Sequence, residues 1–116
     1  MDEYYTKIPL RLQLARASAR LSSTARSVLD AIDADLWPLG TRGLISDLQP
    51  LSIAKRIDRS KRQVNDAIKA LEDAGFLHKQ SDGRLRLVLE VPAHLVERVE
   101  AWRRRLVGGK PPDISD

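Results

Sequence analysis

Residues 52–75, Ser-Ile-Ala-Lys-Arg-Ile-Asp-Arg-Ser-Lys-Arg-Gln-Val-Asn-Asp-Ala-Ile-Lys-Ala-Leu-Glu-Asp-Ala-Gly, constrain the fold of this chain more than any other stretch. Ile53, Ala54 and Ile57 mark one face of a short helix. Val64, Ala67, Ile68 and Leu71 recur at i, i+3, i+4 and i+7, the spacing that lines up one face of a second helix. Asp58-Arg59-Ser60 supplies a tight turn between them. Ser60 stands where a side-chain oxygen can accept from an early backbone N–H of the second helix. Ala54 is small where two such helices cross closely, and Gly75 can end the second helix in a left-handed conformation. Between the apolar positions lie Lys55, Arg56, Arg59, Lys61 and Arg62, opposed only by Asp58, a net +4 over residues 54–64. An αα-hairpin with a solvated basic face would share this pattern. The residues that follow favour a helix-turn-helix.

Phe76-Leu77-His78-Lys79-Gln80 and Leu85-Arg86-Leu87-Val88-Leu89 flank Ser81-Asp82-Gly83-Arg84. Asp-Gly between two strand-like runs is a strong hairpin signal, because both residues tolerate the positive φ of a primed turn. With Asp82 and Gly83 as a two-residue loop, Gln80 is expected opposite Leu85, Lys79 opposite Arg86 and His78 opposite Leu87. Leu85, Leu87 and Leu89 then share the core side. Lys79, Arg84 and Arg86 are left to solvent or phosphate. The expected fold is mainly α with a small β-hairpin: a winged helix-turn-helix over residues 9–91, with a three-helix core plus wing and extra N- and C-terminal helices.

The rest of the chain fits around that unit. Residues 1–8 are expected to be a flexible N-terminus. Pro9 suits the first turn of a helix running to about Ala19, with Leu10, Leu14 and Ala17 as its apolar stripe. Ser22 or Ser23 caps the next helix, in which Ala25, Val28, Leu29, Ile32 and Leu36 recur at helical spacing. Trp37-Pro38-Leu39-Gly40 ends it, and Leu44-Ile45 is expected to form a short strand pairing with the wing. Pro92 starts an amphipathic helix over residues 92–108, where Leu95, Val99, Trp102 and Leu106 fall at i, i+4, i+7 and i+11 beside Val96. Residues 109–116 read as a disordered tail. Soluble monomers rarely expose such a stripe. Docking on the Leu10/Leu14 helix would cover it. So would the same helix of a second chain, and a homodimer through Leu95, Val99, Trp102 and Leu106 is the expectation, since two reading heads multiply specificity.

Charge and composition narrow the chemistry. A chain of 116 residues holds one modest core, and its 42% hydrophobic and 31% charged residues make a globular balance. The net charge of +4 is uneven. Residues 51–89 hold nine Lys/Arg against five Asp/Glu, residues 21–50 two against four, and residues 90–116 five against five. The excess thus sits on the helix-turn-helix and hairpin, as a polyanion-binding surface requires. The absence of Cys excludes disulfides, thiolate zinc sites and cysteine nucleophiles. His78 and His94 lie on different elements, and no Gly-rich phosphate loop or metal-ligand cluster is evident. Asp30, Asp33 and Asp35, at i, i+3 and i+5, do not converge on one face and read as a solvated acidic surface. Neither catalysis nor a cofactor or metal is expected. There is no long apolar stretch and no hydrophobic leader, so the expectation is a soluble cytoplasmic protein without membrane contact.

The expected mechanism is direct readout of duplex DNA by helix 61–74 in the major groove. Lys61, Arg62, Gln63, Asn65 and Lys69 project away from the Val64/Ile68/Leu71 face. Arg62 can fork onto guanine O6 and N7, and Gln63 or Asn65 can pair with adenine. Ser60 and the backbone at the helix start suit a phosphate. Lys79, Arg84 and Arg86 sit where the hairpin could lie along the backbone or dip into the minor groove, and Lys55 and Arg59 are further expected DNA contacts. Arg103, Arg104 and Arg105 read as a solvated helix end that complements the helix dipole rather than as a phosphate clamp.

Tyr5-Thr6-Lys7-Ile8-Pro9, then Leu21-Ser22-Ser23-Thr24-Ala25-Arg26-Ser27-Val28-Leu29, then the helix-turn-helix and Leu71-Glu72-Asp73-Ala74-Gly75-Phe76-Leu77 follow one another in a familiar order. That order resembles the N-terminal domain of the phage replication protein O family. Its members are similar in a Tyr-Thr-x-Ile-Pro opening, a Leu-Ser-x-x-Glu helix start, a Ser-Arg-Arg-Thr-Val recognition helix and a Leu-Glu-x-x-Gly-Leu-Ile exit. Ala25 departs from the capping-box Glu, Asp58 from a frequent turn glycine and Arg59 from a usual apolar residue, and the stretch from Trp37 to Gln49 differs. The resemblance implies binding to repeated sites at a phage- or plasmid-type replication origin, with helicase or replication proteins as further partners. A helicase-recruiting C-terminal domain, which such initiators carry, is not expected within these residues. A small dimeric transcriptional repressor is the first alternative, and a winged-helix protein–protein interaction module the second. The basic helix favours DNA over protein.

Overall fold

Local signals set the helix boundaries. Ser22 Oγ accepts from the Ala25 N–H at 3.1 Å and starts α2 (Ser23–Leu36), whose buried Ala25, Val28, Leu29, Ile32 and Leu36 form one stripe, as the spacing predicts. α3 (Pro50–Ile57) begins with proline in its first turn, where the missing N–H costs nothing. It ends at Asp58, which is left-handed at φ 57°, ψ 52°, and the Arg59 N–H donates back to the Ala54 carbonyl at 3.0 Å. Aspartate tolerates this geometry better than most residues, so the frequent turn glycine is not required. α4 (Lys61–Ala74) opens on a reciprocal cap. Ser60 Oγ accepts from the Gln63 N–H at 3.1 Å, and the Ser60 N–H donates to Gln63 Oε1 at 3.0 Å. It closes at Gly75 (φ 91°), with the Phe76 N–H donating to the Leu71 carbonyl at 2.9 Å. A Cβ on Gly75 would come within 3.1 Å of the Pro92 ring, so both backbone and space demand glycine there.

The computed structural model describes residues 8–36 and 44–108, which are mainly helical with a small three-stranded antiparallel sheet. The elements run α1 (Leu10–Ser18), α2, β1 (Ile45–Ser46), α3, α4, β2 (Leu77–Lys79), β3 (Leu85–Leu87), a 3₁₀ turn at Ala93–Leu95, and α5 (Val96–Gly108). α2, α3 and α4 pack on one another, and the sheet, in the order β1-β3-β2, adjoins them through β1 on α2 and β2 on α4. Val28, Ile32, Ile53, Val64, Leu71, Phe76 and Leu85 are fully enclosed at the centre. The expected edge strand at Leu44-Ile45 forms one residue later, pairing Ile45 with Arg86 and Ser46 with Leu85. No helix among the described residues is long and apolar enough to cross a membrane. The expected helix end at Trp37 to Gly40, the N-terminal residues 1–7 and the tail 109–116 lie outside the described residues.

Four expectations are corrected. The hairpin register is one residue off: Leu77 faces Leu87, His78 faces Arg86 and Lys79 faces Leu85. The loop is therefore three residues, with the Gly83 N–H donating to the Gln80 carbonyl at 2.9 Å, the Gln80 N–H to the Arg84 carbonyl at 2.8 Å, and Gly83 left-handed at φ 89°. Because side chains alternate faces, this slip turns Leu77 inward beside Leu85 and Leu87, whereas a two-residue loop would turn it out. Burial of that leucine is the physical reason for the longer loop.

On α1 the buried residues are Leu12, Leu14 and Ala15, while Leu10 is 46% exposed and Ala17 is also exposed. The helix packs on α5, with Leu12, Leu14 and Ala15 in the core and Ile8 and Ala19 partly buried against it. This α1–α5 seam takes two residues out of the expected two-chain stripe. Leu95 and Val99 are buried within one chain, Val99 at 1% exposure, while Val96 is 43% and Trp102 37% exposed. Arg98 Nη1 donates to the Ser18 carbonyl at 3.0 Å and Arg11 pairs with Glu100 at 3.4 Å along it. The Leu106 side chain lies outside the described residues.

The acidic trio on α2 is not a uniformly solvated surface. Asp33 holds Arg16 of α1 at 2.8 Å, and Asp35 accepts from the buried Ser46 Oγ at 2.8 Å, which in turn accepts from the Leu48 N–H. Two of the three carboxylates thus anchor α1 and β1 to α2, satisfying groups that burial would otherwise leave unpaired.

Candidate nucleic-acid interface

The buried Val64, Ala67, Ile68 and Leu71 turn the opposite side of α4 to solvent, with Lys61, Arg62, Gln63, Asn65 and Lys69 all exposed on it. Between that side, the start of α3 and the β2–β3 hairpin lies an open groove of about 730 Å³. Lys61, Asn65 and Lys69 line it from α4, and Lys79 lines it from β2. Glu72 and Asp73 stand at the C-terminal end of the helix wall. Amino and amide donors therefore line the groove from Lys61 to Lys69, and carboxylates line it at Glu72 and Asp73.

The remaining expected contact residues divide by how freely they are held. Lys55 is exposed on α3, and Arg86 is exposed on the outer face of the sheet opposite His78. Ser60 and Gln63 are both engaged in the helix cap, which leaves the Ser60 hydroxyl hydrogen and the Gln63 amide N–H groups to donate outward. Arg59 bends back across the turn, its Nε donating to Thr24 Oγ1 of α2 at 3.4 Å and its Nη1 to the Asp58 carbonyl at 3.3 Å. The Lys79 N–H donates to Glu72 Oε2 at 3.1 Å, tying the hairpin to α4 and leaving the ammonium in the groove.

Arg84 is the most restrained of the set. Its Nε donates to Asp82 Oδ2 at 2.9 Å and its Nη1 reaches Asp47 Oδ1 at 3.5 Å. The Arg84 backbone N–H, also donated to Asp82, and then the guanidinium hold the Asp82 carboxyl below its usual value of 3.8; the same pairing raises Arg84.

Sequence reasoning missed two members of this arrangement, Glu72 and Asp47, and the capping role of Gln63. Gln63 three residues after Ser60 is a capping-box signature and was legible. Glu72 and Asp47 gave no signal, since their partners lie seven and 37 residues away. The structure brings Lys61, Asn65, Lys69 and Lys79 into one groove and leaves Lys55, Arg59, Ser60, Arg62, Gln63, Arg84 and Arg86 outside its lining. Among the described residues no group of three or more His, Cys, Asp or Glu could hold a metal ion. No protein-family model, curated protein or solved structure matches this chain.

Proposed function

We propose that this chain is a winged helix-turn-helix that binds double-stranded DNA in a sequence-dependent way, as the origin-binding part of a phage- or plasmid-type replication initiator. α4 enters the major groove, whose width of about 12 Å admits one helix, and the β2–β3 hairpin lies along the backbone. The observation that carries the reading is the groove in which Lys61, Asn65 and Lys69 of α4 meet Lys79 of the hairpin. Ammonium groups on both walls suit a phosphate run, while Asn65 and the exposed Arg62 offer the side-chain types that read adenine and guanine edges. A protein-docking helix has no such need of lysine and arginine on its outer side. The origin assignment rests on the resemblance of Tyr5 to Pro9 and of Leu71 to Leu77 to the phage replication protein O family.

Each copy of the chain binds its own repeat, because Leu95 and Val99 are occupied within the chain, which among the described side chains of α5 leaves Val96 and Trp102 as the exposed large apolar groups. The test is a fluorescence titration of duplexes cut from the DNA around the coding sequence, repeated at rising salt. Binding to a set of repeated sites beside a replication gene, with affinity falling steeply as salt rises, supports the reading. A single palindrome at the chain's own promoter would make it a repressor. No duplex binding at low salt would remove the DNA reading altogether.

A further inference from the structure

The outer ridge of α4 is not uniformly basic. At about 100° per residue, the direction opposite the buried stripe falls on Arg62, Asp66, Lys69 and Asp73. All four are exposed, so the charge alternates along the ridge: plus, minus, plus, minus. Asp73 borders the acidic end of the groove, but Asp66 sits between Arg62 and Lys69, in the middle of the surface offered to DNA. A solvated helix with alternating charges is ordinarily laced by i,i+3 and i,i+4 pairs. Arg62 and Lys69 have those spacings to Asp66, yet the ion pairs among the described residues form elsewhere, on α1, α2, the hairpin, its neighbour Asp47 and α5.

We infer that Asp66 is a specificity-determining residue that accepts a hydrogen bond from cytosine N4 in the major groove. This rests on the DNA-binding reading of α4. A carboxylate at the centre of a reading helix is repelled by phosphates and by the acceptor-only edges of guanine and thymine. It is relieved only where a base presents an amino group. Cytosine presents N4 alone, whereas adenine sets its N7 acceptor beside N6 and so repels the second carboxylate oxygen. Asp66 follows Arg62 by one helical turn, a rise of about 6 Å, against about 3.4 Å per base step. The cytosine therefore lies within about two base pairs of the guanine that Arg62 contacts. Asp66 acts mainly by exclusion, since a wrong base leaves its charge buried against acceptors without a partner.

The experiment is a selection from a randomised duplex library with the full chain, alongside Asp66→Asn and Arg62→Ala. Asp66 is exposed, so the substitution leaves the core intact, and the thermal midpoint checks that both variants fold. For the wild-type chain the inference expects an enriched site with a C·G pair close to an Arg62-dependent G·C pair. In Asp66→Asn, preference at that C·G pair falls about tenfold and moves toward adenine, which an amide can pair through N6 and N7. Preference at the other positions stays. If Asp66→Asn binds every duplex more tightly by one common factor and keeps the wild-type preferences, Asp66 only repels phosphate and the inference is overturned, with DNA binding intact. Salt-sensitive binding without any enriched site also overturns it. If the wild-type chain binds no duplex, the DNA-binding reading itself has failed and the inference goes with it.

Discussion

Arg16 on α1 is enclosed, with 14% of its side chain exposed and its guanidinium held by Asp33 of α2 at 2.8 Å and 3.4 Å, whereas Arg62 on α4 stands in solvent and makes no ion pair among the described residues. The same contrast runs through the regions around them. Along the α1–α2–α5 side, several charged groups are spent on structure: Arg98 on the Ser18 carbonyl, Arg11 on Glu100, Asp35 on Ser46. On the α4 side, Lys61, Arg62 and Lys69 are left over once the helix is built. A charge that folding does not use is available for binding, and it is the distribution of unused charge, more than the net charge of +4, that marks a face for a partner. Arg84 falls between the two, lying on the hairpin yet held by Asp82 and Asp47.

If the two regions divide labour in this way, substitutions in one leave the other's property unchanged. The largest effect belongs to the α1–α5 seam, where Leu12→Ala empties a fully enclosed site and costs about 2–5 kcal/mol in denaturant unfolding. Duplex affinity measured well below the transition stays at the wild-type level. Asp33→Ala strands Arg16, whose Nε already lacks a partner, and costs about 1–3 kcal/mol of stability, reduced from a fully buried pair because both side chains retain some solvent. Arg62→Ala reverses the pattern. Its thermal midpoint is unchanged, while the cognate duplex binds about 1–3 kcal/mol more weakly and preference relaxes at one base pair. Equal weakening on cognate and random duplex would make Arg62 a phosphate contact instead.

Arg84→Ala is the smallest effect and the one that sharpens the comparison. Since Asp82 and Asp47 compete with phosphate for this guanidinium, its loss reduces the salt slope by less than about one unit. The Asp82 carboxyl, held below 3.8 by Arg84, moves back up in a pH titration of the variant followed by carboxyl NMR. The sign follows from the depression: what the pair contributes to stability is present above the unfolded-state value and is lost as pH falls through the lower folded value. At neutral pH the pair is fully formed.

The elements that were legible are those written locally. Ser22, Ser60 and Gly75 start and stop their helices through hydrogen bonds within a few residues, and the i, i+3, i+4 spacing on α2 and α4 admits one buried face. What was not legible depended on a partner distant in sequence. Asp82-Gly83 fits a two-residue and a three-residue loop equally well, and only the docking of Leu77 beside Leu87 decides between them. On α1, Leu10/Leu14/Ala17 and Ile8/Leu12/Ala15/Ala19 have the same period, and once the helix packs, Leu14 is buried together with Leu12 and Ala15 while Leu10 and Ala17 stay exposed. Asp33 and Asp35 resemble solvated acids until Arg16 and Ser46 arrive from other elements. In the candidate interface, the exposed residues of α4 followed from periodicity, but the restraint on Arg84 came from Asp47, 37 residues away.

If unused charge marks the binding face, the partner meets the α4 side and leaves the α1–α5 side untouched. An amide NMR titration of the chain with duplex DNA tests it most directly. Shifts are expected to be confined to α4, the Asp58 to Ser60 turn and the β2–β3 hairpin, with Leu12, Ala15 and Val99 unmoved. Shifts centred on α5 around Trp102, with Arg62 and Asn65 unmoved, would contradict it.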